Sequence, residues 1–345
     1  MAQTVCAYCP EWHVNVSSAF SDILVNPLRE HIDLKLTAWD GKKFDPSDHA
    51  PGAKPFIFCM FPPPPDLSSK KDVKIVWVPM WDQAYNYNQS WWDTLSINVR
   101  IIAFSDAVAQ KAERAGLHVF RACYYCDPSQ YHAAQWSDKR VLAYWNRRGI
   151  TNPRFLEKFC SVLNIDRLIF RAQTDPSLNS SVSYPLPSRL GKTIVKELPA
   201  NLSRDEYLAG MREANILLAP RLREGVGLTF LEAMARGCAV FAFDKPTMNE
   251  YIKHCESGYL FPAPHEKDLS FRIKRIFGSY ASHLFSGPGK YHYFPLSIKQ
   301  DWDKIACLDL KGIGNTALKA HYTGFKQWQG TISGLADFML RSEII

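Results

Sequence analysis

The chain has 345 residues, of which 46% are hydrophobic and 22% are charged. This composition excludes a disordered chain, and the length exceeds what one hydrophobic core usually holds, so two domains are expected. No stretch approaches 18 consecutive apolar residues, which argues against a membrane-spanning helix. The first residues lack a basic segment followed by an apolar one, so no signal peptide is expected and the predicted location is cytoplasmic.

The net charge of +7 is unevenly distributed, because the first 130 residues are slightly acidic and the remainder is basic. A basic second half suits an anionic ligand such as a nucleoside diphosphate. There is no long Lys/Arg run that would neutralise many phosphates, which disfavours a nucleic-acid partner.

The nine cysteines are an odd number, and a long cytoplasmic chain favours reduced thiols over a disulfide framework. Cys6 with Cys9 and Cys123 with Cys126 form two C-x-x-C pairs, which could supply four thiolates to zinc. The competing interpretation is that Cys6 and Cys123 end buried strands as small apolar residues. The pairs lie far apart and lack knuckle-like Gly-rich turns, so no metal site is predicted.

The first half of the chain alternates short apolar runs with helical patterns, which predicts α/β architecture with a parallel sheet. The predicted strands are 4–8, 34–38, 55–60, 74–78, 100–104 and 118–122. The predicted helices are 14–28, 91–97 and 106–115, and the proline run 62–65 is predicted to be a rigid loop.

A second α/β series follows the polar stretch 127–139. Its predicted strands are 141–145, 167–171, 193–196, 216–219, 239–243 and 259–261, and its predicted helices are 153–162, 204–212, 228–236, 248–254 and 266–277. Residues 179–189 are predicted to form a surface loop, and 314–341 a final helix. We therefore expect two Rossmann-like domains facing a cleft, with boundaries at 1–133 and 134–317, and a C-terminal helix from about 318 to 345 that joins the first domain.

The most informative stretch runs from residue 214 to 260, where a buried strand is followed by a loop and a helix. Gly225 and Gly227 flank the predicted helix start, where the backbone can approach a ligand and exposed N–H groups favour an anion. Glu224 lies in the loop, and Glu232 interrupts the apolar run LTFLEAMA, where a charge needs a partner. A carboxylate can accept two hydroxyl hydrogen bonds, which suits a ribose or hexose diol.

Glu224 and Glu232 stand in E-x7-E spacing, and the strings EAMARG and PTMNE follow. In this the chain resembles the large retaining GT-B glycosyltransferase family often called family 4, in layout over about 141–261 and most strongly over 215–260. A lone E-x7-E pair is common, so the strand–loop–helix context carries the resemblance. The structural alternative is an ordinary amphipathic core helix at 228–236.

The resemblance implies a GT-B fold in which the C-terminal helix crosses back to the N-terminal domain. It also implies a donor site for a nucleoside diphosphate sugar, carrying UDP or GDP. It assigns Glu224 to the donor sugar and Glu232 to the ribose, with the backbone of Gly225, Val226, Gly227 and Leu228 beside the phosphates and sugar. The family usually has basic residues after the first strand of the second domain. The candidates here, in order of preference, are Arg148, Arg147 and Arg154, with Arg221 and Arg223 as further candidates near the loop.

The segment PMWDQAYNYNQSWW follows the predicted strand 74–78 and is expected to line the acceptor side. Asp82 could bind a donor hydroxyl, orient the acceptor or act as a base, so it joins Glu224 and Arg148 as a catalytic candidate. The other predicted acceptor residues are Trp81 and Tyr85 in this segment and Trp12 and His13 after the first strand. Aromatic rings can stack on sugars, although core packing is the competing interpretation for several rings of this segment.

We therefore expect a retaining, metal-independent hexosyl or other glycosyl transferase without a cofactor, acting in polysaccharide or lipopolysaccharide synthesis. Its expected acceptor is a glycan or glycolipid, with peripheral association at the inner membrane face as an option. Two alternatives remain: transfer to a nucleic-acid or small-metabolite acceptor, and a non-catalytic protein that binds nucleotide sugars.

Overall fold

The structure is a computed structural model that describes residues 4–15, 17–44, 55–68, 73–145, 153–171, 186–199, 202–262 and 301–340. Its contacts divide the chain into two compact units. Unit 1 comprises Met1–Asp127, Arg223–Leu228 and Tyr322–Ile345, and unit 2 comprises Pro128–Leu222 and Thr229–His321.

Unit 1 is built on a six-stranded parallel sheet with the order β2-β1-β3-β4-β5-β6. Every residue of β4 and β5 is buried, as expected for a parallel sheet with both faces covered. The strands are β1 Thr4–Cys9, β2 Asp33–Ala38, β3 Phe56–Cys59, β4 Ile75–Val78, β5 Val99–Ala103 and β6 Val119–Arg121.

The helices of unit 1 connect these strands, and most of them are short. The longest of the connecting helices, α6, begins after Ser105, whose hydroxyl accepts a hydrogen bond from the amide of Ala107 and so caps the helix. The helices are α1 Glu11–Asn15, a π-helical turn Ser21–Val25 leading into α2 Asn26–Leu28, α3 Pro65–Ser68, α4 Trp81–Ala84, α5 Gln89–Trp92 and α6 Asp106–Arg114.

Unit 2 is built on a seven-stranded sheet with the order β13-β12-β11-β7-β8-β10-β9, in which only β9 pairs antiparallel. The strands are β7 Val141–Trp145, β8 Arg167–Arg171, β9 Arg189–Leu190, β10 Thr193–Leu198, β11 Ile216–Ala219, β12 Ala239–Phe243 and β13 Tyr259–Phe261. The helices are α7 Pro153–Val162, α8 Arg204–Met211, α9 Leu228–Ala235, α10 Met248–Tyr251 and α11 Trp302–Ala306.

The last helix, α12, spans Leu310–Leu340, 31 residues in all. Its first part belongs to unit 2, and from Tyr322 onward it belongs to unit 1. There Trp328 packs against Phe104, and the Arg100 guanidinium donates to the carbonyl of Phe338 at 3.0 Å. Among the described helices, none is both long enough and apolar enough to cross a membrane.

The predicted fold class is confirmed, since the chain has two Rossmann-like domains built on parallel sheets. Five strands of unit 2, β7, β8, β11, β12 and β13, have the predicted bounds. They are buried apolar runs between polar segments, which is the pattern that marks a central parallel strand most clearly.

Several predicted helices were wrong in extent. The single helix predicted for 14–28 is interrupted, because α1 ends at Asn15 and the Ser17 hydroxyl accepts from the amide of Ala19, as at the start of a new turn. The helix predicted for 91–97 is the four-residue α5, which Asn88 caps through its side chain. The final helix begins at Leu310, ahead of the predicted residue 314.

Three further differences concern a proline and the ends of two elements. Pro65, predicted to lie in a rigid loop, is the first residue of α3, a position where proline is tolerated because no intrahelical N–H bond is needed there. The helix predicted for 248–254 ends at Tyr251, and β9 begins inside the predicted loop 179–189. The helix predicted for 266–277 lies outside the described residues.

The cysteines do not occupy the positions expected from the C-x-x-C pattern. Cys6 lies in the middle of β1, and Cys123 is exposed beyond the end of β6, so neither ends a buried strand. Cys9 and Cys59 are buried at the ends of β1 and β3. Burial raises the pKa of Cys9 to about 11 and that of Cys59 well above its ordinary value.

The thiols should therefore react at very different rates in the native protein. Only the thiolate is nucleophilic, and burial raises the pKa of Cys238 to about 11 and that of Cys160 to about 12. In a short iodoacetamide pulse at pH 8, exposed Cys123 and Cys307 should be alkylated first, as measured by peptide mass spectrometry. The denatured chain, in which all nine should react, is the control. Equal labelling of Cys238 and Cys307 in the native protein would contradict the packing described.

Candidate functional site

The loop between β11 and α9 contains the first of the two motif glutamates. Glu224 is partly exposed, whereas Gly225, Val226 and Gly227 behind it are buried. Gly227 has φ of +80°, a left-handed conformation that glycine adopts without a Cβ clash. The glycine-rich part of the loop is therefore packed more deeply than Glu224.

Residues 223–228, which we call the motif loop, belong to unit 1 by their contacts. A Cβ added at Gly225 would lie 3.1 Å from Met80 Sδ and 3.3 Å from Asp82 Oδ1, so only glycine fits there without a shift. The Arg223 guanidinium carbon lies 3.2 Å from the ring centroid of Tyr85, a close cation–π contact. The structure thus brings Asp82 and Tyr85, two predicted acceptor residues, to the loop that contains Glu224.

Lys111 supports this part of unit 1, and sequence analysis missed it. Its ammonium group donates to the carbonyl of Tyr87 and lies 5.5 Å from the ring centroid of Trp81. Burial lowers the pKa of Lys111. The lysine lies in the middle of α6 with no local signal of this role, because its partners are more than twenty residues earlier in the chain.

The two other predicted acceptor residues lie in α1, directly after β1. The His13 ring meets Phe20 edge-on with centroids 4.8 Å apart, and Trp12 meets Phe61 edge-on at 6.1 Å. Both side chains are therefore partly engaged in packing within unit 1. Asp82 similarly follows β4, so these residues all come from the carboxyl edge of the unit 1 sheet, where ligands of open α/β sheets bind.

In unit 2, the second motif glutamate is almost excluded from solvent. Glu232 lies in α9, and its side chain is only 7% exposed. Its Oε1 is 2.8 Å from Arg204 Nη2, an ion pair of the kind that a buried carboxylate requires. The same guanidinium nitrogen is 3.2 Å from the hydroxyl of Tyr131. Glu232 was predicted from the sequence, whereas Arg204 and Tyr131 were not.

Arg171 is a buried cation at the carboxyl edge of the unit 2 sheet. It is the last residue of β8 and is 8% exposed. Its guanidinium lies between two aromatic rings, 4.7 Å from the centroid of Trp145 and 4.9 Å from that of Tyr207. A buried arginine directly after the apolar run 168–170 is an unusual choice, and that was the one sequence signal for this group.

Of the arginines predicted to bind the diphosphate, Arg147 and Arg148 lie outside the described residues. Arg154 is exposed on α7 and borders a groove that also includes the first residues of β7 and β10, Val141 and Thr193. Arg221 is buried, and Arg223 packs on Tyr85 as described. In the described part of the chain, no group of three or more His, Cys, Asp or Glu residues is placed to hold a metal ion.

Part of the chain is similar in sequence to known proteins. Residues 197–282, about a quarter of the chain, match the family model described as Glycosyl transferases group 1. The "Glycosyltransferase 1 domain-containing protein 1" of Xenopus tropicalis is 30% identical over 103 residues, which cover 30% of this chain and 29% of that protein. The chain thus aligns with less than a third of the length of this relative.

The solved structures extend the likeness to nearly the whole chain. Sucrose-phosphate synthase from Thermosynechococcus elongatus superposes with a TM-score of 0.56 at 13% identity, covering 96% of this chain and 98% of that one. HepE from Anabaena, in complex with UDP and glucose, gives 0.55 at 13% identity, covering 96% and 99%. At these identities the likeness establishes the fold, which is GT-B.

Removing the Arg171 side chain should destabilise unit 2, because two cation–π contacts and the packing of the aliphatic stem are lost. We expect Arg171→Ala to lower the free energy of unfolding by about 2 kcal/mol in urea titration. The matched control is Arg212→Ala, an exposed arginine of the same unit. Indistinguishable midpoints for the two variants would refute the energetic role of the Trp145–Arg171–Tyr207 stack.

Proposed function

We propose that this protein is a glycosyltransferase that moves a sugar from a nucleoside diphosphate sugar to a glycan or glycolipid acceptor. The observation that carries the proposal is the position of the matched segment in the fold. The segment that matches the group 1 model contains both Glu224 and Glu232, and its β11–loop–α9 unit puts one glutamate in a glycine-rich loop and the other inside a buried helix.

The donor side follows from the chemistry of these groups. Glu232, held as a carboxylate by Arg204, can accept hydrogen bonds from the two hydroxyls of a ribose. Glu224 is proposed to bind a hydroxyl of the donor sugar, with the backbone of Gly225 to Leu228 beside it. The diphosphate needs cations, for which Arg148, Arg147 and Arg154 remain the candidates. UDP is the first nucleotide to test, since Anabaena HepE was solved with UDP and glucose.

In the proposed reaction, the bond between the anomeric carbon and the diphosphate oxygen breaks, and an acceptor hydroxyl forms the new glycosidic bond. The acceptor proton passes to the departing phosphate, so the products are the glycoside and a nucleoside diphosphate. We propose retention of the anomeric configuration and catalysis without a metal. The protein contributes by stabilising the negative charge that develops on the leaving group.

The acceptor side is assigned to unit 1. Asp82 lies against Gly225, next in sequence to Glu224, and Trp81 and Tyr85 flank it on α4 and just beyond. Asp82 is proposed to bind and orient the acceptor hydroxyl, and the aromatic rings to contact sugar faces. Trp12 and His13 stay predicted acceptor contacts at the same edge of the sheet.

A donor screen tests this function directly. A ligand that binds only the folded state at 100 times its Kd stabilises it by about 2.7 kcal/mol, so the true nucleotide sugar should raise the Tm by several degrees. Glu232→Gln should weaken the binding of that donor by roughly tenfold or more, since a hydrogen-bonded charge is lost. The measurements are thermal shift and calorimetric titration with UDP-, GDP-, ADP-, CDP- and dTDP-sugars.

The control for this screen is Glu256→Gln, which removes an exposed carboxylate of unit 2 and should leave the Kd unchanged. Release of the nucleoside diphosphate together with a glycosylated acceptor identifies a transferase. Tight binding without turnover toward any glycan acceptor would instead support a non-catalytic binding protein. If no nucleotide sugar or free nucleotide binds, the donor assignment is wrong.

Substituting Asp82 should separate acceptor chemistry from donor binding. Asp82→Asn keeps the size of the side chain against Gly225 but removes its charge, so turnover should fall by roughly 100-fold while the donor Kd stays within a factor of two or so. Asp93→Asn is the control, an exposed carboxylate of the same unit. A parallel loss of donor affinity in Asp82→Asn would show that this residue belongs to the donor site, and unchanged turnover would remove it from the mechanism.

A further inference from the structure

The ion pair of Glu232 joins a buried group to one at the surface. The Glu232 side chain is 7% exposed and the Arg204 side chain is 38% exposed, with 2.8 Å between Oε1 and Nη2. Burial of a carboxylate without compensation is costly, so the Arg204 guanidinium compensates the Glu232 side chain and holds it in one orientation. A carboxylate fixed in this way is a ready acceptor for two hydroxyl groups on adjacent carbons.

The position of Arg204 is itself fixed by the start of α8. Ser203 caps this helix in a capping box, in which its hydroxyl accepts from the amide of Glu206 and the Glu206 carboxylate accepts from the amide of Ser203 at 2.8 Å. Arg204 is the first residue of the helix, so the cap determines where its side chain begins. The arginine is therefore anchored at its backbone as well as at its guanidinium.

Tyr131 provides a third contact for this group. Its hydroxyl lies 3.2 Å from the same Nη2 that contacts Glu232. Tyr131, Arg204 and Glu232 come from a loop, from α8 and from α9, so the cluster exists only in the folded unit 2. A planar guanidinium can hold several acceptors in set directions, which a lysine ammonium does not do.

We propose that Arg204, supported by Tyr131, is a positioning residue that orients the Glu232 carboxylate and thereby selects nucleotides that carry ribose hydroxyls. The proposal rests on the proposed function, because Glu232 is the group assigned to the ribose. Arg204 acts through Glu232 and makes no direct contact with the transferred sugar. Its removal should consequently affect recognition of the ribose rather than of the diphosphate.

A purely structural role for the Arg204–Glu232 ion pair predicts a different result. If Arg204 only stabilised the fold, its loss would lower the Tm and weaken all nucleotides by a similar factor. If it positions Glu232, its loss should weaken only ligands that carry the ribose hydroxyls. The ratio of affinities for a ribonucleotide and its 2′,3′-dideoxy analogue separates these two roles.

The test uses the full-length chain and the ribonucleoside diphosphate that gives the largest Tm shift among UDP, GDP, ADP and CDP, together with its 2′,3′-dideoxy form. The wild type should bind the ribonucleotide roughly tenfold or more tightly than the dideoxy form in calorimetric titration, as expected for hydrogen bonds to a charged group. Arg204→Ala should bring the two affinities to within about threefold by weakening the ribonucleotide alone. Arg204→Lys and Tyr131→Phe should retain part of the preference, and Arg212→Ala all of it.

Three outcomes would overturn this inference. Undiminished preference for the ribonucleotide in folded Arg204→Ala contradicts it, as does equal weakening of both ligands. If Arg204→Ala does not fold, Arg204→Lys and Tyr131→Phe decide, and full wild-type preference in both refutes the positioning role. Absence of any nucleotide binding by the wild type overturns the proposed function itself, a result distinct from loss of selectivity in the variant.

Discussion

Parallel pairing of strands is the constraint from which the arrangement of both units follows. Parallel neighbours need crossover connections, so each sheet collects the loops that follow its strands at one edge. In unit 1 that edge receives Asp82 after β4 and α1 after β1, and in unit 2 it receives Trp145 and Arg171 as the last residues of β7 and β8. Side chains that are distant in sequence are thereby brought to the same edge of a sheet, where polar groups can converge on a ligand.

A second constraint is that charged side chains buried in unit 2 need compensating contacts. The α9 helix is buried from Phe230 to Ala235, and Glu232 is the one residue in that run that bears a charge. Its carboxylate is compensated by Arg204. Arg171, a buried cation at the same edge, lies between the rings of Trp145 and Tyr207. Both arrangements hold polar groups at fixed positions close to where an anionic ligand of an α/β sheet would lie.

Most of the fold could be predicted from the sequence. The contact partners of the buried polar residues could not. The strands of unit 2 are continuous apolar runs bounded by polar segments, so their periodicity was sufficient to locate them. The interruption between α1 and the turn at Ser21–Val25 depends on local serine hydrogen bonds that compete with helix formation. Glu232 could be identified because a charge stands in an apolar helix, whereas Arg204 precedes it by 28 residues in an ordinary polar helix start. Nothing local to Arg204 indicates which carboxylate it meets.

The membership of the motif loop in unit 1 has a consequence for how this protein can be recombined with its relatives. Residues 223–228 are encoded inside the stretch that otherwise builds unit 2, yet they pack on Met80, Asp82 and Tyr85. A chimaera joined between Asp127 and Pro128 would replace Met80, Asp82 and Tyr85 but keep the original residues 223–228 that pack on them. A chimaera that keeps this packing would therefore need the exchanged N-terminal fragment together with its own version of residues 223–228. Natural substitutions on the two sides should accordingly arise in matched pairs.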